Sequence, residues 1–268
     1  MGIDFIIFYI IIFIIGAIFG SFACCQAWRL HERSNGKKLG SRSVCMHCKA
    51  QLKWYDNLPI ISWLALRGKC RKCKEKIGKA EILSEIGLGL VFLAIAYKYS
   101  IPFSSIHAFL SANFITTLVP PLIILVAFVL YWILLVYDAK WGELPVFLMV
   151  ALIPIAILYQ FAVGGNIVQV AISAGLLSSI YFFLYFFSKE KLVGGGDWIL
   201  CVSVAIFVGR WELALVELFL SNFAASIAAA PNAIKKGQKQ IPFGPFLILG
   251  LLTILLTSDY ILKFLIIY

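Results

Sequence analysis

The sequence predicts an all-α polytopic membrane protein with about eight transmembrane helices and one large polar loop between helices 1 and 2. The chain of 268 residues is 62% hydrophobic and 13% charged, which excludes a water-soluble globule. Apolar runs of about 17 to 25 residues recur between short polar breaks, and such runs are long enough to cross a bilayer as helices. Fourteen of the 23 Lys and Arg residues lie between Arg29 and Lys79, where the net charge is +11.

The charge distribution predicts the orientation. Because Lys and Arg bias loops toward the cytoplasm, the loop at residues 29–80 is expected to be cytoplasmic and the N-terminus outside. The first apolar run, about 3–28, has no basic region ahead of it and no small-residue cleavage site after it. We therefore interpret it as a retained span and not as a signal peptide.

The remaining spans follow from the apolar runs. The sixth predicted span is a short apolar run at 198–208. Glu212 and Glu217 interrupt the apolar run of the seventh span, and a final span begins near Phe246. This order places Asp138 and Asp197 near the cytoplasmic face. Spans 2 to 5 are predicted at about 82–99, 113–137, 144–163 and 167–187.

Asp138 and Asp197 are the candidate catalytic residues. A carboxylate in hydrocarbon costs about 2.5 to 3.5 kcal/mol on insertion scales, so its presence there indicates function. Two carboxylates that share a site cannot both ionise easily. The ionised one can then take a proton from water while the neutral one polarises a peptide carbonyl, as in aspartic proteases. Two acids alone are equally typical of a proton-coupled transporter, and either one alone is equally an interfacial solvated group.

Three glycines, Gly194, Gly195 and Gly196, directly precede Asp197. Without a Cβ they allow close approach of another backbone. Since a peptide in the bilayer must be unwound before it is hydrolysed, we expect this loop to give an extended substrate access to the carboxylates. Glycine before a helix is also ordinary.

Four cysteines form two CxxC pairs, Cys45 with Cys48 and Cys70 with Cys73, separated by 21 residues. A cytoplasmic loop keeps thiols reduced, so metal binding is favoured over disulfides. Four thiolates satisfy tetrahedral zinc, and the spacing predicts a zinc-ribbon-like loop that holds structural Zn²⁺. Four unliganded thiols and a redox dithiol are the alternatives.

Several motifs occur in a specific order along the chain. They are Gly20-Ser-Phe22 with Arg29, the cysteine segment 45–77, Glu85, Asp138-Ala-Lys-Trp-Gly-Glu-Leu-Pro145, the GxGD motif ending at Asp197, and Ile241-Pro-Phe-Gly-Pro-Phe246. In this order they resemble the type IV prepilin peptidases of peptidase family A24, the bifunctional leader peptidases and N-methyltransferases of pilus and type II secretion systems.

The resemblance implies a GxGD intramembrane aspartic endopeptidase in the bacterial cytoplasmic (inner) membrane. Such an enzyme cuts the basic leader of prepilins and pseudopilins after a glycine, at the cytoplasmic face. The resemblance also implies that Asp138 and Asp197 are the catalytic pair. It further implies methylation of the new N-terminal residue from S-adenosylmethionine, with Glu85 and Arg29 as candidate residues. Residues 1–100, with the cysteine loop, would then be the methyltransferase-associated part, and residues 101–268 the peptidase domain.

The sequence departs from the family pattern mainly near its N-terminal part. Ala23 stands where the family has asparagine, His31 where it usually has proline, and Ala80-Glu81-Ile82 where it has Arg-Tyr-Pro. Val146 replaces a usual aspartate after Pro145. These changes bear on methyl transfer more than on peptide cleavage, since the two aspartates and the GxGD motif are intact.

The expected partners are prepilin or pseudopilin substrates and anionic membrane lipids, which complement the basic loop, and no nucleic acid. Two rival functions remain. One is a proton-coupled membrane transporter with a zinc-ribbon regulatory loop, and the other is an inactive scaffold for pilus assembly.

Overall fold

The computed structural model describes residues 3–38, 40, 42–99, 114–188, 194–233 and 242–267. Outside its helices, this part of the chain contains turns and two isolated β-bridges. A short 3-10 helix, Trp54–Asn57, precedes α2. The α-helices are α1 (Ile3–Ser34), α2 (Ile61–Ala65), α3 (Lys79–Lys98), α4 (Phe114–Trp141), α5 (Val146–Val163), α6 (Ile167–Ser188), α7 (Gly195–Val208), α8 (Trp211–Ala233) and α9 (Gly244–Ile267).

Seven of the described helices, all except α2 and α7, are long and apolar enough to cross a membrane. They confirm the prediction of an all-α polytopic membrane protein. The predicted short sixth span is α7, which begins at Gly195 and so includes Asp197 in its first turn. Its 14 residues span only about 21 Å, whereas a hydrocarbon core is about 30 Å thick.

The seventh predicted span, whose apolar run is interrupted by Glu212 and Glu217, is present as α8, which runs unbroken through both residues. Glu212 lies in the first turn of α8, where its carboxylate accepts a hydrogen bond from Arg210 at 3.0 Å. Glu217 is fully buried, and Gly250 of α9 leaves space for its carboxyl group. A Cβ at Gly250 would lie 2.9 Å from Glu217 Oε1. The acid is therefore accommodated by a small neighbour and does not break the helix.

The chain divides into two compact units. The first comprises Met1–His107 and Phe128–Val136, and the second comprises Ala108–Ala127 and Tyr137–Tyr268. The predicted division of function at residue 100 stays a prediction.

Close packing of α1 on α3 organises the first unit. Gly16 and Gly20 are spaced as a GxxxG motif, which lets two helix backbones approach closely. A Cβ at Gly20 would collide with the Ser84 carbonyl oxygen, and one at Gly16 would lie 2.8 Å from the Leu88 carbonyl oxygen. Ser84 Oγ donates to the Gly20 carbonyl at 2.8 Å and accepts from Trp132 Nε1 at 2.8 Å. The buried Ser84 hydroxyl group thus both donates and accepts a hydrogen bond.

In the second unit, α7 packs against α5, α6, α8 and α9. The end of α7 is capped by Gln160 of α5, whose Nε2 donates to the carbonyls of Ile206 at 2.6 Å and Phe207 at 3.0 Å. Gly209, with φ +72°, ends the helix and contacts the Gln160 amide, where a Cβ would not fit. Carbonyl groups at a helix end have no partner within the helix, so this side chain lets α7 end among apolar helices.

We predict that Gly20→Ala lowers the free energy of unfolding by about 1–3 kcal/mol, because the added methyl group must displace the α3 backbone. Gly175→Ala in α6 is the matched control, since no atom lies within 4 Å of a Cβ at that position. The control is expected to be neutral or stabilising. Unfolding of the purified chain in detergent measures both variants, and equal stability of the two would contradict the packing described.

Candidate active site and cysteine cluster

Asp138 lies in the last turn of α4, with only 4% of its surface exposed. Its Oδ2 accepts a hydrogen bond of 2.9 Å from the backbone N–H of Gly244. Gly244 is the first residue of α9, and the N–H groups of a first helical turn have no partner within their own helix. The start of α9 therefore supplies a donor and a favourable dipole to the Asp138 carboxyl group.

Asp197 lies in the first turn of α7 and is 7% exposed. Its Oδ2 accepts a hydrogen bond of 3.0 Å from the N–H of Gly194, and its own N–H donates to the Gly194 carbonyl at 3.1 Å. This reciprocal cap fixes the carboxyl group at the start of the helix. The Gly194 N–H is consequently already paired and is not free to bind a substrate strand.

The structure brings the two predicted aspartates together. They are close enough for the charge of Asp197 to act on the Asp138 carboxyl group. Leu144 contacts the segment before Asp197 and the start of α9, which binds Asp138. A Cβ at Gly196 would lie 2.8 Å from Leu144 Cβ, and one at Gly244 would lie 3.5 Å from Leu144 Cδ2. A Cβ at Gly244 would also lie 2.8 Å from Asp138 Oδ2. Glycine at 196 and 244 therefore allows the close approach of these segments.

The glycines have packing contacts that the sequence did not predict, and their role in substrate access stays a prediction. Gly195 contacts the ring of Tyr185, which would lie 3.4 Å from a Cβ there. Gly244 and Leu144 were not identified as site residues from the sequence. Both lie within the motifs that carry the resemblance, and this was the only signal available for them.

The four predicted cysteines form one cluster between α1 and α3, in the first unit. All four Sγ atoms lie within 4.8 Å of one another, and those of Cys45 and Cys73 are 3.9 Å apart. Four thiolates around zinc with bonds of about 2.3 Å would have sulfur atoms about 3.8 Å apart, so the cluster fits a tetrahedral metal ion.

The two CxxC segments have the same local geometry. Lys49 N–H donates to the Cys45 carbonyl and Lys74 N–H to the Cys70 carbonyl, each at 3.0 Å. Both lysines are left-handed, with φ +56° and +61°. An isolated antiparallel bridge closes each turn, Val44 with Gln51 and Lys69 with Lys76. Each turn thus presents its two thiols from a closed backbone loop.

The environment of the cluster favours ionisation of one thiol first. Hydrogen bonds from the backbone of Cys73 and Lys72 lower the pKa of Cys70 to about 7. At Cys73 a hydrogen bond from the Glu75 backbone lowers the pKa of the thiol. Burial and the three neighbouring thiols have a larger combined effect and raise the pKa of Cys73 to about 11. Sulfur atoms that share one site resist ionising together, and a bound cation relieves that repulsion.

The two residues predicted for methyl transfer lie in the first unit. Glu85 of α3 is 6% exposed, and its Oε2 accepts a hydrogen bond of 2.6 Å from the Ile60 N–H. The Ser21 side chain also hydrogen-bonds to this carboxyl group. Arg29 lies near the end of α1 and is half-buried. Glu85 therefore holds the residue that precedes α2 against α1 and α3.

The helices, the two buried carboxyl groups and the four-cysteine cluster are those of a polytopic membrane protein. A family model described as the bacterial peptidase A24 N-terminal domain matches residues 14–99. A prepilin leader peptidase/N-methyltransferase of Dichelobacter nodosus is 32% identical over 222 residues, which cover 80% of this chain and 70% of the relative. The chain belongs to the family of prepilin leader peptidase/N-methyltransferases.

Other relatives agree with this assignment. The enzyme of the same name from Vibrio cholerae is 26% identical over 90% of this chain and 94% of its own length. A type 4 prepilin-like proteins leader peptide-processing enzyme of Escherichia coli is 28% identical over 78% of this chain and 73% of its own length. No solved structure matches the chain.

We predict that wild-type protein purifies with about one zinc ion per chain, and that Cys45→Ser and Cys70→Ser each lose it, because three thiolates and a hydroxyl bind zinc more weakly. Cys25→Ser is the control, since Cys25 lies in α1 outside the cluster. Elemental analysis of the purified proteins measures the metal content. A metal-free wild type, or zinc retained by both cluster variants, would contradict the prediction.

We predict that Gly244→Ala reduces peptide cleavage about 100-fold, because a displacement of about 1 Å at a reacting group has an effect of this size. The new methyl group would press on Asp138 Oδ2. Gly175→Ala serves again as the control, and thermal unfolding reports whether both variants are folded. Full activity in Gly244→Ala would show that its N–H does not need to contact Asp138.

Proposed function

We propose that this chain is an aspartic endopeptidase that cuts the basic leader of type IV prepilins or pseudopilins after a glycine, at the cytoplasmic face of the bacterial cytoplasmic membrane. The observation that carries the proposal is the pair of buried carboxyl groups, Asp138 and Asp197, each held through Oδ2 by one backbone N–H. The family supplies the reaction class. The residue roles, the cleavage position and the side of the membrane are our proposals.

The mechanism follows from two carboxyl groups that share one site. One is ionised and the other keeps a proton, because two buried negative charges repel each other. The ionised group takes a proton from water as the oxygen attacks the peptide carbonyl, and the protonated group gives its proton to the carbonyl oxygen. The group that took the proton from water then gives it to the nitrogen as the carbon–nitrogen bond breaks, and the other carboxylate takes a proton from a hydroxyl of the tetrahedral intermediate, which becomes the new carboxyl group. Oδ2 of each aspartate is engaged by a backbone N–H, so we assign Oδ1 to water and substrate.

The substrate class is proposed from the relatives, whose names specify prepilins. A prepilin leader is basic, and the exposed Glu143, five residues after Asp138, is positioned to attract it. Glu190, to which we assign the same role, lies outside the described residues. The +11 segment at 29–79 would repel such a leader, and we assign its charge to anionic lipid headgroups, at about 1 kcal/mol per basic residue near the surface.

We extend the proposal to methylation of the new N-terminal residue, with S-adenosylmethionine as the methyl donor, because the relatives carry both names. Arg29 and Glu85 remain candidates for this activity. The Glu85 carboxylate accepts hydrogen bonds from the Ile60 N–H and the Ser21 side chain, which favours a role in holding the loop over direct contact with a ligand. The cysteine cluster, with zinc bound, would keep that loop folded and takes no part in peptide hydrolysis.

The rival class is a proton-coupled transporter that uses the same two acids as a relay. Transporters commonly show inverted repeats with paired broken helices. The sequence shows no such repeat, and the family match favours the peptidase. Purified protein in liposomes separates the two functions, since one cuts a prepilin and the other carries protons without cutting.

We predict that Asp138→Asn and Asp197→Asn each abolish cleavage, because an amide can neither accept the proton from water nor supply the one the carbonyl needs. Membranes that carry wild type, either variant or the control Asp259→Asn are incubated with a model prepilin whose basic leader ends in Gly-Phe. Asp259 is an exposed acid in α9, and its variant is expected to cut normally. Mass spectrometry identifies the cut bond and any added methyl group.

Cleavage by either active-site variant at the wild-type rate would remove that aspartate from the mechanism. If wild type fails to cut while it carries protons across liposomes, the transporter is the correct class. A cut product without a methyl group would restrict the proposal to the peptidase activity.

A further inference from the structure

The cysteine loop carries an exposed apolar surface that the cluster does not explain. It lies on residues 54–65, which we call the loop anchor, consisting of the 3-10 helix, a short link and α2. Trp54 is 76% exposed, Ile61 64% and Leu64 58%. Three large apolar side chains so exposed within one short segment mark an interaction surface, since water-facing loops rarely present them together.

Hydrogen bonding places this segment beside the membrane-spanning helices. The Ile60 N–H donates to Oε2 of Glu85, which lies six residues after the start of α3, about 9 Å along the helix axis. Ser21, well inside α1, bonds the same carboxyl group. Ile60, the residue that precedes α2, is therefore held against two apolar helices and not out in the aqueous part of the loop.

The backbone supports the same conclusion. Ile60 has φ 63° and ψ −50°, which is an unfavourable conformation for a β-branched residue. Such a conformation persists only when surrounding contacts impose it. Here the bond to Glu85 holds the Ile60 backbone while the chain turns sharply into α2, and this turn leaves Ile61 and Leu64 exposed.

Positive charge flanks the apolar residues on both sides. Lys53 precedes Trp54, and Arg67 and Lys69 follow α2, all three exposed. An apolar surface with an aromatic residue and a basic margin matches the boundary between acyl chains and anionic headgroups. The same basic margin disfavours a second copy of this loop and a basic prepilin leader as the occupant.

We infer that the loop anchor is an interfacial membrane segment that inserts Trp54, Ile61 and Leu64 into the lipid leaflet beside α1 and α3. Lys53, Arg67 and Lys69 then lie at the level of the anionic headgroups. Glu85 acts as the residue that fixes the depth of the segment through the Ile60 N–H. This inference does not depend on the peptidase activity, because a chain that cuts no prepilin would still insert the segment.

The test uses a photo-crosslinking amino acid, p-benzoylphenylalanine, introduced singly at Ile61, at Leu64 or, as a control, at Gln51, which is exposed on the cysteine cluster. The full-length protein is placed in liposomes of phosphatidylglycerol and phosphatidylcholine, with and without a model prepilin, and irradiated. Mass spectrometry of the peptides identifies the adducts. We expect lipid adducts at 61 and 64, at least tenfold above position 51, whether or not prepilin is present.

Adducts to prepilin at 61 and 64 in place of lipid would assign this surface to the substrate and overturn the inference. Equal lipid yields at all three positions, or none, would also overturn it. A second measurement uses no crosslinker: the fluorescence difference between wild type and Trp54→Phe isolates the Trp54 signal. We expect this signal to be quenched by lipids with a spin label near the headgroup and protected from iodide, whereas efficient quenching by iodide would place Trp54 in water.

Discussion

A polar group inside the membrane-spanning helices is costly unless it is paired within the chain, because hydrocarbon offers no partner. The main features of the structure follow from this constraint. Gln160 satisfies the carbonyl groups at the end of α7, and Ser84 connects Trp132 to the α1 backbone. A single unsatisfied group in such surroundings costs several kcal/mol, which is comparable to the whole stability of many domains. Glycine occupies positions at which two helix backbones must touch for such hydrogen bonds to form, as Gly20 does beside Ser84.

The same constraint prepares the candidate catalytic groups. A buried carboxyl group without donors would be expensive, and here each aspartate has a donor from the start of a helix or from the loop before it. These donors orient the two groups before any substrate binds, so little reorganisation accompanies the reaction. A polar contact thus links α4 to α9 at Asp138, whereas Asp197 is held within the start of α7.

Hydropathy was sufficient to predict the spans, because a bilayer imposes a minimum length of apolar sequence. The cysteine cluster followed from the spacing of its residues, since CxxC turns present two thiols from one local loop. The contact between Asp138 and the Gly244 N–H joins residues 106 positions apart and leaves no local signal. For the same reason Gln160 gave no indication of its capping role. The surroundings of Glu217 could not be predicted, because hydropathy alone does not distinguish a lipid-facing acid from one buried against Gly250.

The shortness of α7 has a consequence for the depth of its two ends. With 14 residues it falls about 9 Å short of an average hydrocarbon core. No residue of α7 is exposed, so the helix is surrounded by helices of its own unit and does not have to match the thickness of the lipid. One end of α7 can therefore lie inside the bundle, closed by Gln160, while the other end carries Asp197. Differences in lipid chain length are then taken up by the longer helices around α7 and not at its first turn.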